Sequence, residues 1–218
     1  VLQAMTEQLE QLLGATGYDV IGTVETLYTP KTGFSFLEVN TRLQVEHAVT
    51  EVVTNVDIVQ AQIRLAGGEP LADVLPERPA LKGHAIEARI YAEDPVRFLP
   101  SPGLLSEFEL PSHAPGLRVE TGYAQGNAVT SHYDPMVAKL IAHGNTRGEA
   151  IQRMREALRA TRIEGIRTNI PMIDQVLGSS TFRASGMTVD GLGAVLKEAA
   201  SSVDLATAEN FRNQKETV

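Results

Sequence analysis

The residues best suited to chemistry lie between Glu25 and His47. Two runs rich in strand-forming residues, 18–28 and 34–40, flank Thr29-Pro30-Lys31-Thr32-Gly33, which has the composition of a turn. A turn centred between Lys31 and Thr32 sets Glu25 opposite Glu38. Side chains alternate across a strand. Phe34, Phe36, Glu38 and Asn40 are therefore expected on one face, with Leu37 and Val39 on the other. Two carboxylates directly opposite repel each other unless something neutralises them. Burial beside Phe34, Phe36 and Leu27 would raise that cost. A hard divalent cation resolves the conflict, because Mg²⁺ takes oxygen ligands, commonly one or two carboxylates plus substrate phosphates. Asn40 could add a carbonyl oxygen. The alternative is a one-residue slip, which separates the glutamates and leaves both in water.

The run Glu38-Val39-Asn40-Thr41-Arg42-Leu43-Gln44-Val45-Glu46-His47 is too polar for a buried strand end. Arg42 offers a planar fork that suits an oxyanion such as bicarbonate or phosphate. Gln44 can supply an amide donor. Glu46 could serve as a general base if held near Arg42 and its ligand. A lone histidine such as His47 is more often a satisfied structural residue than a catalyst. A loop tied by internal salt bridges fits the same residue types.

Around these residues the pattern alternates between helix and strand. Leu2, Met5, Leu9, Leu12 and Leu13 have helical spacing, and the helix should stop near Gly14 to Gly17. Asp57 can cap a helix carrying Ile58, Ile63 and Ala66 that ends at Gly67-Gly68. The proline-spotted segment 70–79 is the expected boundary. It divides the chain into 1–75, 76–200 and a polar tail, 201–218, expected to fray. Beyond it, strands are expected at 84–91, 104–110, 117–121 and 136–143. Thr146 and Glu149 match a capping box. The helix they open should bury Ala150, Ile151, Met154, Ala157 and Leu158 on one face. A shorter helix is expected at 170–177. The fold class expected is α+β.

Composition excludes several classes. The 218 residues, 43% apolar and 21% charged, suit an ordinary globular chain with a substantial core. There is no cysteine, so disulfides and thiolate metal sites are ruled out, which fits a reducing compartment. A net charge of -8 without a Lys/Arg cluster argues against nucleic acid as a partner. No apolar run long enough for a membrane span occurs. Val1-Leu2-Gln3-Ala4-Met5 is not a signal peptide and reads as the middle of a helix, so the chain is expected to be a fragment.

The polar run resembles the signature of the biotin carboxylases, the component shared by acetyl-CoA, propionyl-CoA, pyruvate and urea carboxylases. The resemblance continues through Gly83-His84-Ala85-Ile86-Glu87, Ala92-Glu93-Asp94-Pro95 and Phe98-Leu99-Pro100-Ser101-Pro102-Gly103. It resumes at Tyr133-Asp134-Pro135-Met136 with Ala138-Lys139-Leu140-Ile141, and at Gly165-Ile166-Arg167-Thr168-Asn169. Several motifs in order are far more specific than one short match. The resemblance implies the C-terminal portion of an ATP-grasp domain followed by a biotin carboxylase C-terminal domain. It implies a ligase that makes carboxyphosphate from ATP and bicarbonate and passes CO₂ to biotin.

By position in that family, Glu25 and Glu38 match metal-binding glutamates for Mg²⁺ or Mn²⁺, accompanied by Asn40. Arg42, Gln44 and the Val45 backbone match the bicarbonate site, and Glu46 the base that deprotonates bicarbonate. Arg118 matches the arginine that stabilises the biotin enolate, where a fixed cation suits developing oxyanion charge. The implied partners are a biotin carrier domain or protein, a carboxyltransferase component and a second copy in a homodimer, and the implied location is cytoplasmic. The glycine-rich phosphate lid and the upstream ATP-gripping residues of the family are not found here, so the chain is expected to be inactive alone. A non-catalytic dimerisation module is one alternative, with 143–147 on its surface. Another is a different ATP-grasp ligase sharing the Glu-x-Asn element. The segment 161–166 resembles the urea carboxylase branch, with pyruvate and acyl-CoA branches open.

Overall fold

A computed structural model describes residues 2–75, 78–185, 187–188 and 191–195. The expected tail at 201–218 lies outside the described residues. The chain divides into two compact units, 1–82 and 83–218. Among the described residues no helix is long and apolar enough to cross a membrane.

The first unit opens with α1 (Leu2–Thr16), followed by a hairpin of β1 (Thr23–Thr29) and β2 (Gly33–Asn40). Helix α1 runs past Gly14 and ends where Gly17 takes φ +68. The Tyr18 N–H then reaches back to the Leu13 carbonyl at 3.2 Å, a left-handed helix stop. The sequence reading began β1 at residue 18. The strand starts later, because Tyr18 folds back and its hydroxyl donates to the Ile21 carbonyl at 3.2 Å. Three helices complete the unit: α2 (His47–Thr54), α3 (Ile58–Ala66) and α4 (Leu71–Val74). The sequence reading specified no helix at 47–54. Asp57 caps α3 as expected, its carboxylate accepting the Gln60 N–H at 2.7 Å.

The second unit is built on a three-stranded antiparallel sheet, ordered β3 (His84–Tyr91), β8 (Met136–Gly144), β6 (Leu117–Glu120). The run expected as one strand at 104–110 is two short ones, β4 (Gly103–Leu104) and β5 (Glu107–Glu109). They separate because β4 pairs with β7 (Ala128–Val129) and β5 with β9 (Arg162–Glu164). Where they cross, Gly165 adopts φ +92, and a Cβ there would stand 1.9 Å from the Leu104 carbonyl oxygen. Only glycine fits that approach.

Helix α5 (Arg147–Ala160) lies on the sheet, burying Ala150, Ile151, Met154, Ala157 and Leu158 as its spacing predicts. All but Ala150 meet Ala88, Ile90, Leu140 and Ala142 of the sheet in one core cluster. The helix is started by Thr146, whose hydroxyl accepts the Glu149 N–H at 3.2 Å. Glu149 closes the box one residue early, accepting from the Asn145 N–H at 2.9 Å. Thr146→Ala should therefore cost about 1 kcal/mol, read as a shift in the urea midpoint at unchanged slope.

Helices α6 (Ile170–Gly178) and α7 (Ser180–Arg183) follow α5 and β9. Asn169, 4% exposed, locks α6 to β3: its side chain accepts the Tyr91 N–H at 2.9 Å and donates to the Arg89 carbonyl at 3.0 Å. Asp94 secures the loop after β3. Its carboxylate accepts the N–H groups of Arg97 and Val96 and pairs with the Arg167 guanidinium. Those donors hold its pKa down at about 2. The unfolded carboxyl sits near ~3.9. A lowered native pKa contributes stability above the unfolded value, and that stability is lost as pH falls through the native one. Asp94→Asn should therefore flatten the fall in unfolding midpoint between about pH 4 and pH 2.

Candidate functional site

The hairpin register is the foundation of the site. Glu25 pairs with Glu38, Val24 with Val39 and Thr23 with Asn40. The turn, however, is centred on Lys31, since Thr29 pairs with Gly33. The two facts are reconciled by an irregularity between Glu25 and Thr26, where Leu37 is left unpaired. A bulge of this kind sets two residues against one and shifts the remainder of the strand by one place. Without it, the observed turn would face Glu25 with Leu37.

The bulge also corrects the expected faces. Thr26 faces Phe36, whereas its neighbour Glu25 faces Glu38. Adjacent strand residues point to opposite sides, so Phe34 and Phe36 lie away from the glutamates. Phe34 instead contacts Tyr28, ring centroids 4.8 Å apart. On that same side Thr26 donates to the Met5 sulfur at 3.6 Å, which places α1 there. The carboxylate face is open: Glu38 is exposed and Glu25 half-buried. Water therefore softens the repulsion that the sequence reading assigned to an apolar surround.

Amides converge on the pair. Asn40 Nδ2 donates to Glu25 Oε1 at 2.8 Å and to Glu38 Oε1 at 3.4 Å. Gln44 Nε2 donates to Glu25 Oε1 at 3.2 Å. Two opposed carboxylates flanked by an amide that can turn its oxygen inward form a hard-oxygen donor set, which fits Mg²⁺ or Mn²⁺. Among the described residues no cluster of three or more His, Cys, Asp or Glu suits a metal, so ligand oxygens would have to complete the coordination.

The polar run after β2 curls into a turn that leads into α2. Glu25, Arg42, Gln44, Glu46 and His47 line one open cleft of about 510 Å³. Arg42 is exposed and donates to the Leu43 carbonyl at 3.3 Å. Glu46 is the N-cap of α2 and makes no side-chain capping bond. A guanidinium, an amide and a carboxylate on one cleft can bind a small oxyanion and accept a proton from it.

Arg118 belongs to the second unit, on β6. The pairing Glu87 to Ile141 to Arg118 crosses the sheet, and Arg89 to Lys139 to Glu120 forms the next row. All of these lie on the face turned away from the α5 core. Arg118 forms an ion pair with Glu120, and Lys139 reaches the other Glu120 oxygen at 2.6 Å. Burial raises the Glu120 pKa, but Lys139 and Arg118 outweigh it and leave the carboxyl below its usual range. Sequence reasoning missed Glu120 and Lys139. The spacing of Arg118 and Glu120 by two residues gave a signal for the first, whereas Lys139 needs the strand register.

Residues 87–193 match the family described as the biotin carboxylase C-terminal domain, and residues 1–74 match the carbamoyl-phosphate synthase L chain ATP binding domain. The chain is 50% identical over 190 residues to a biotin carboxylase of Halalkalibacterium halodurans, covering 85% of this chain and 42% of that one. It is 42% identical over 207 residues to the mitochondrial propionyl-CoA carboxylase alpha chain of Caenorhabditis elegans, covering 94% and 28%. It also resembles the biotin carboxylase domain dimer of Hydrogenobacter thermophilus 2-oxoglutarate carboxylase, solved with MgADP, ADP and bicarbonate. There the TM-score is 0.82 at 36% identity, over 88% of this chain and 42% of that one. The chain thus spans about two fifths of the length of the curated biotin carboxylase it matches.

Proposed function

We propose, for a chain that belongs to the biotin carboxylase family, that it supplies the metal-binding hairpin, the bicarbonate turn and the biotin-facing arginine of an ATP-dependent biotin carboxylase. The observation that carries this reading is the pairing of Glu25 with Glu38, bridged by Asn40, beside a cleft lined by Arg42, Gln44 and Glu46. Glu25, Glu38 and Asn40 would hold Mg²⁺ or Mn²⁺, which when bound would offset the charge of the ATP phosphates. Arg42 pairs with bicarbonate through its planar fork, while Gln44 and the Val45 N–H fix its orientation. Glu46 accepts the bicarbonate proton, which makes the oxygen nucleophilic toward the ATP γ-phosphorus. The bond from the γ-phosphorus to the β-phosphate oxygen breaks, and carboxyphosphate and ADP are the products.

Arg118 then steadies the negative charge that develops on the biotin ureido oxygen. Glu120 and Lys139 hold the guanidinium at that position on the sheet. The biotin arrives on a carrier domain or protein, and a carboxyltransferase component uses the product. A homodimer and a cytoplasmic location accompany this reading; the similar Hydrogenobacter domain is described as a dimer.

The test is ATP hydrolysis dependent on biotin and bicarbonate, with Mg²⁺. It is run on this chain alone and after mixing with a separately expressed N-terminal segment of the Halalkalibacterium relative. Activity confined to the mixture is the expected result. Silence in both, with a folded dimer in solution, would favour a non-catalytic dimerisation module.

A further inference from the structure

The proposed mechanism gives His47 no role, yet its ring is held in place. The side chain is 12% exposed. Nδ1 lies 2.9 Å from the Gln44 carbonyl oxygen, and Nε2 lies 4.0 Å from Glu51 Oε2. A carbonyl oxygen only accepts, so Nδ1 must carry the hydrogen of that bond. The same oxygen accepts the His47 backbone N–H at 3.2 Å. One residue therefore closes the 44–47 turn with two donors to one acceptor.

Contacts extend from both sides of this closure. Behind the ring, Glu51 is 6% exposed and its Oε1 accepts the Ile58 N–H at 2.7 Å, which ties it to the start of α3. In front, the Gln44 amide donates to Glu25 Oε1 at 3.2 Å. Glu51 thus ties α2 to α3, while His47 and Gln44 link the turn to the hairpin carboxylate. The turn it closes carries the Gln44 amide, the Val45 N–H and the Glu46 carboxylate. The direction of the Val45 N–H follows from where the Gln44 carbonyl is pinned, because rotating that peptide swings the N–H with it.

We infer that His47, as its Nδ1–H tautomer, is a positioning residue that fixes the bicarbonate-binding turn. The ligand rests on the proposed function; the tautomer does not. The competing view is that His47 adds stability to the start of α2 and nothing more.

Nitrogen NMR on the full chain reads the tautomer directly. Hydrogen on Nδ1 with a bare Nε2 is expected. Hydrogen on Nε2 alone overturns the inference, and no variant is needed to see it. Sodium bicarbonate is then titrated against a sodium chloride control while the Gln44 and Val45 amide signals are followed. His47→Asn places an amide nitrogen close to the Nδ1 position and keeps the donor. His47→Gln reaches toward Glu51 and loses it. The Asn variant should retain the bicarbonate response, and the Gln variant should bind about tenfold more weakly, a difference of roughly 1.4 kcal/mol. Thermal unfolding of each variant identifies one that fails to fold. Equal responses in two folded variants overturn the positioning role. A wild-type chain with no response overturns both that role and the bicarbonate reading, which is a separate result from equal variants.

Discussion

Glu46→Gln should lower bicarbonate-dependent ATP cleavage by about 10²- to 10⁴-fold in the enzyme reconstituted with this chain, the range a positioned general base contributes. The substitution preserves shape and removes only the ability to accept a proton. Its local structural cost should be small, because the side chain is exposed and glutamine keeps its length. The chain should fold with an unchanged thermal midpoint and should still respond to bicarbonate through Arg42 and Gln44. The loss should therefore fall on kcat, with the KM for bicarbonate shifted much less. A loss confined to KM would instead make Glu46 a binding group. Full activity would move the base elsewhere on the cleft.

The second large effect concerns stability. Leu140→Ala should destabilise the second unit by about 2–5 kcal/mol. Leu140 is 0% exposed on β8, the central strand, flanked by Ala88 of β3 and Val119 of β6. Its side chain belongs to the core cluster that also holds Ile151, Met154 and Leu158 of α5. Truncation removes apolar contacts and leaves a cavity between two rigid layers that cannot easily collapse into it. Leu99→Ala provides the comparison, since Leu99 is 58% exposed and its loss should stay within about 0.5 kcal/mol. Urea denaturation of both variants measures the difference. If the two midpoints moved together, the core assignment around Leu140 would be wrong.

Helix α5 shows how far local pattern reaches. Its cap at Thr146 and its buried face could be read residue by residue, because both depend on spacing within a few turns. Strands β3, β6 and β8 were also close to their expected spans, for apolar alternation marks a half-buried strand. Helix α2 was missed because its first residues belong to a polar functional run, where chemistry rather than amphipathicity sets composition. The long strand expected at 104–110 failed for a different reason. Its two halves pair with different partners, and no local signal encodes partner choice.

The sequence by itself determined the residue types of the candidate site: two glutamates, an asparagine and the Arg42–Gln44–Glu46 run, with a hairpin to carry them. The tertiary structure decided their arrangement. A bulge at Leu37 places Glu25 opposite Glu38 although the turn is centred elsewhere, and the same bulge turns Phe34 and Phe36 away. Pairing across the sheet brings Lys139 onto Glu120 and so anchors Arg118. The Gln44 carbonyl fixes the His47 ring. The physical reason is common to all three. Side-chain chemistry is local and can be read from composition, but register is set by hydrogen bonding and packing between distant segments. A shift of one residue exchanges every face.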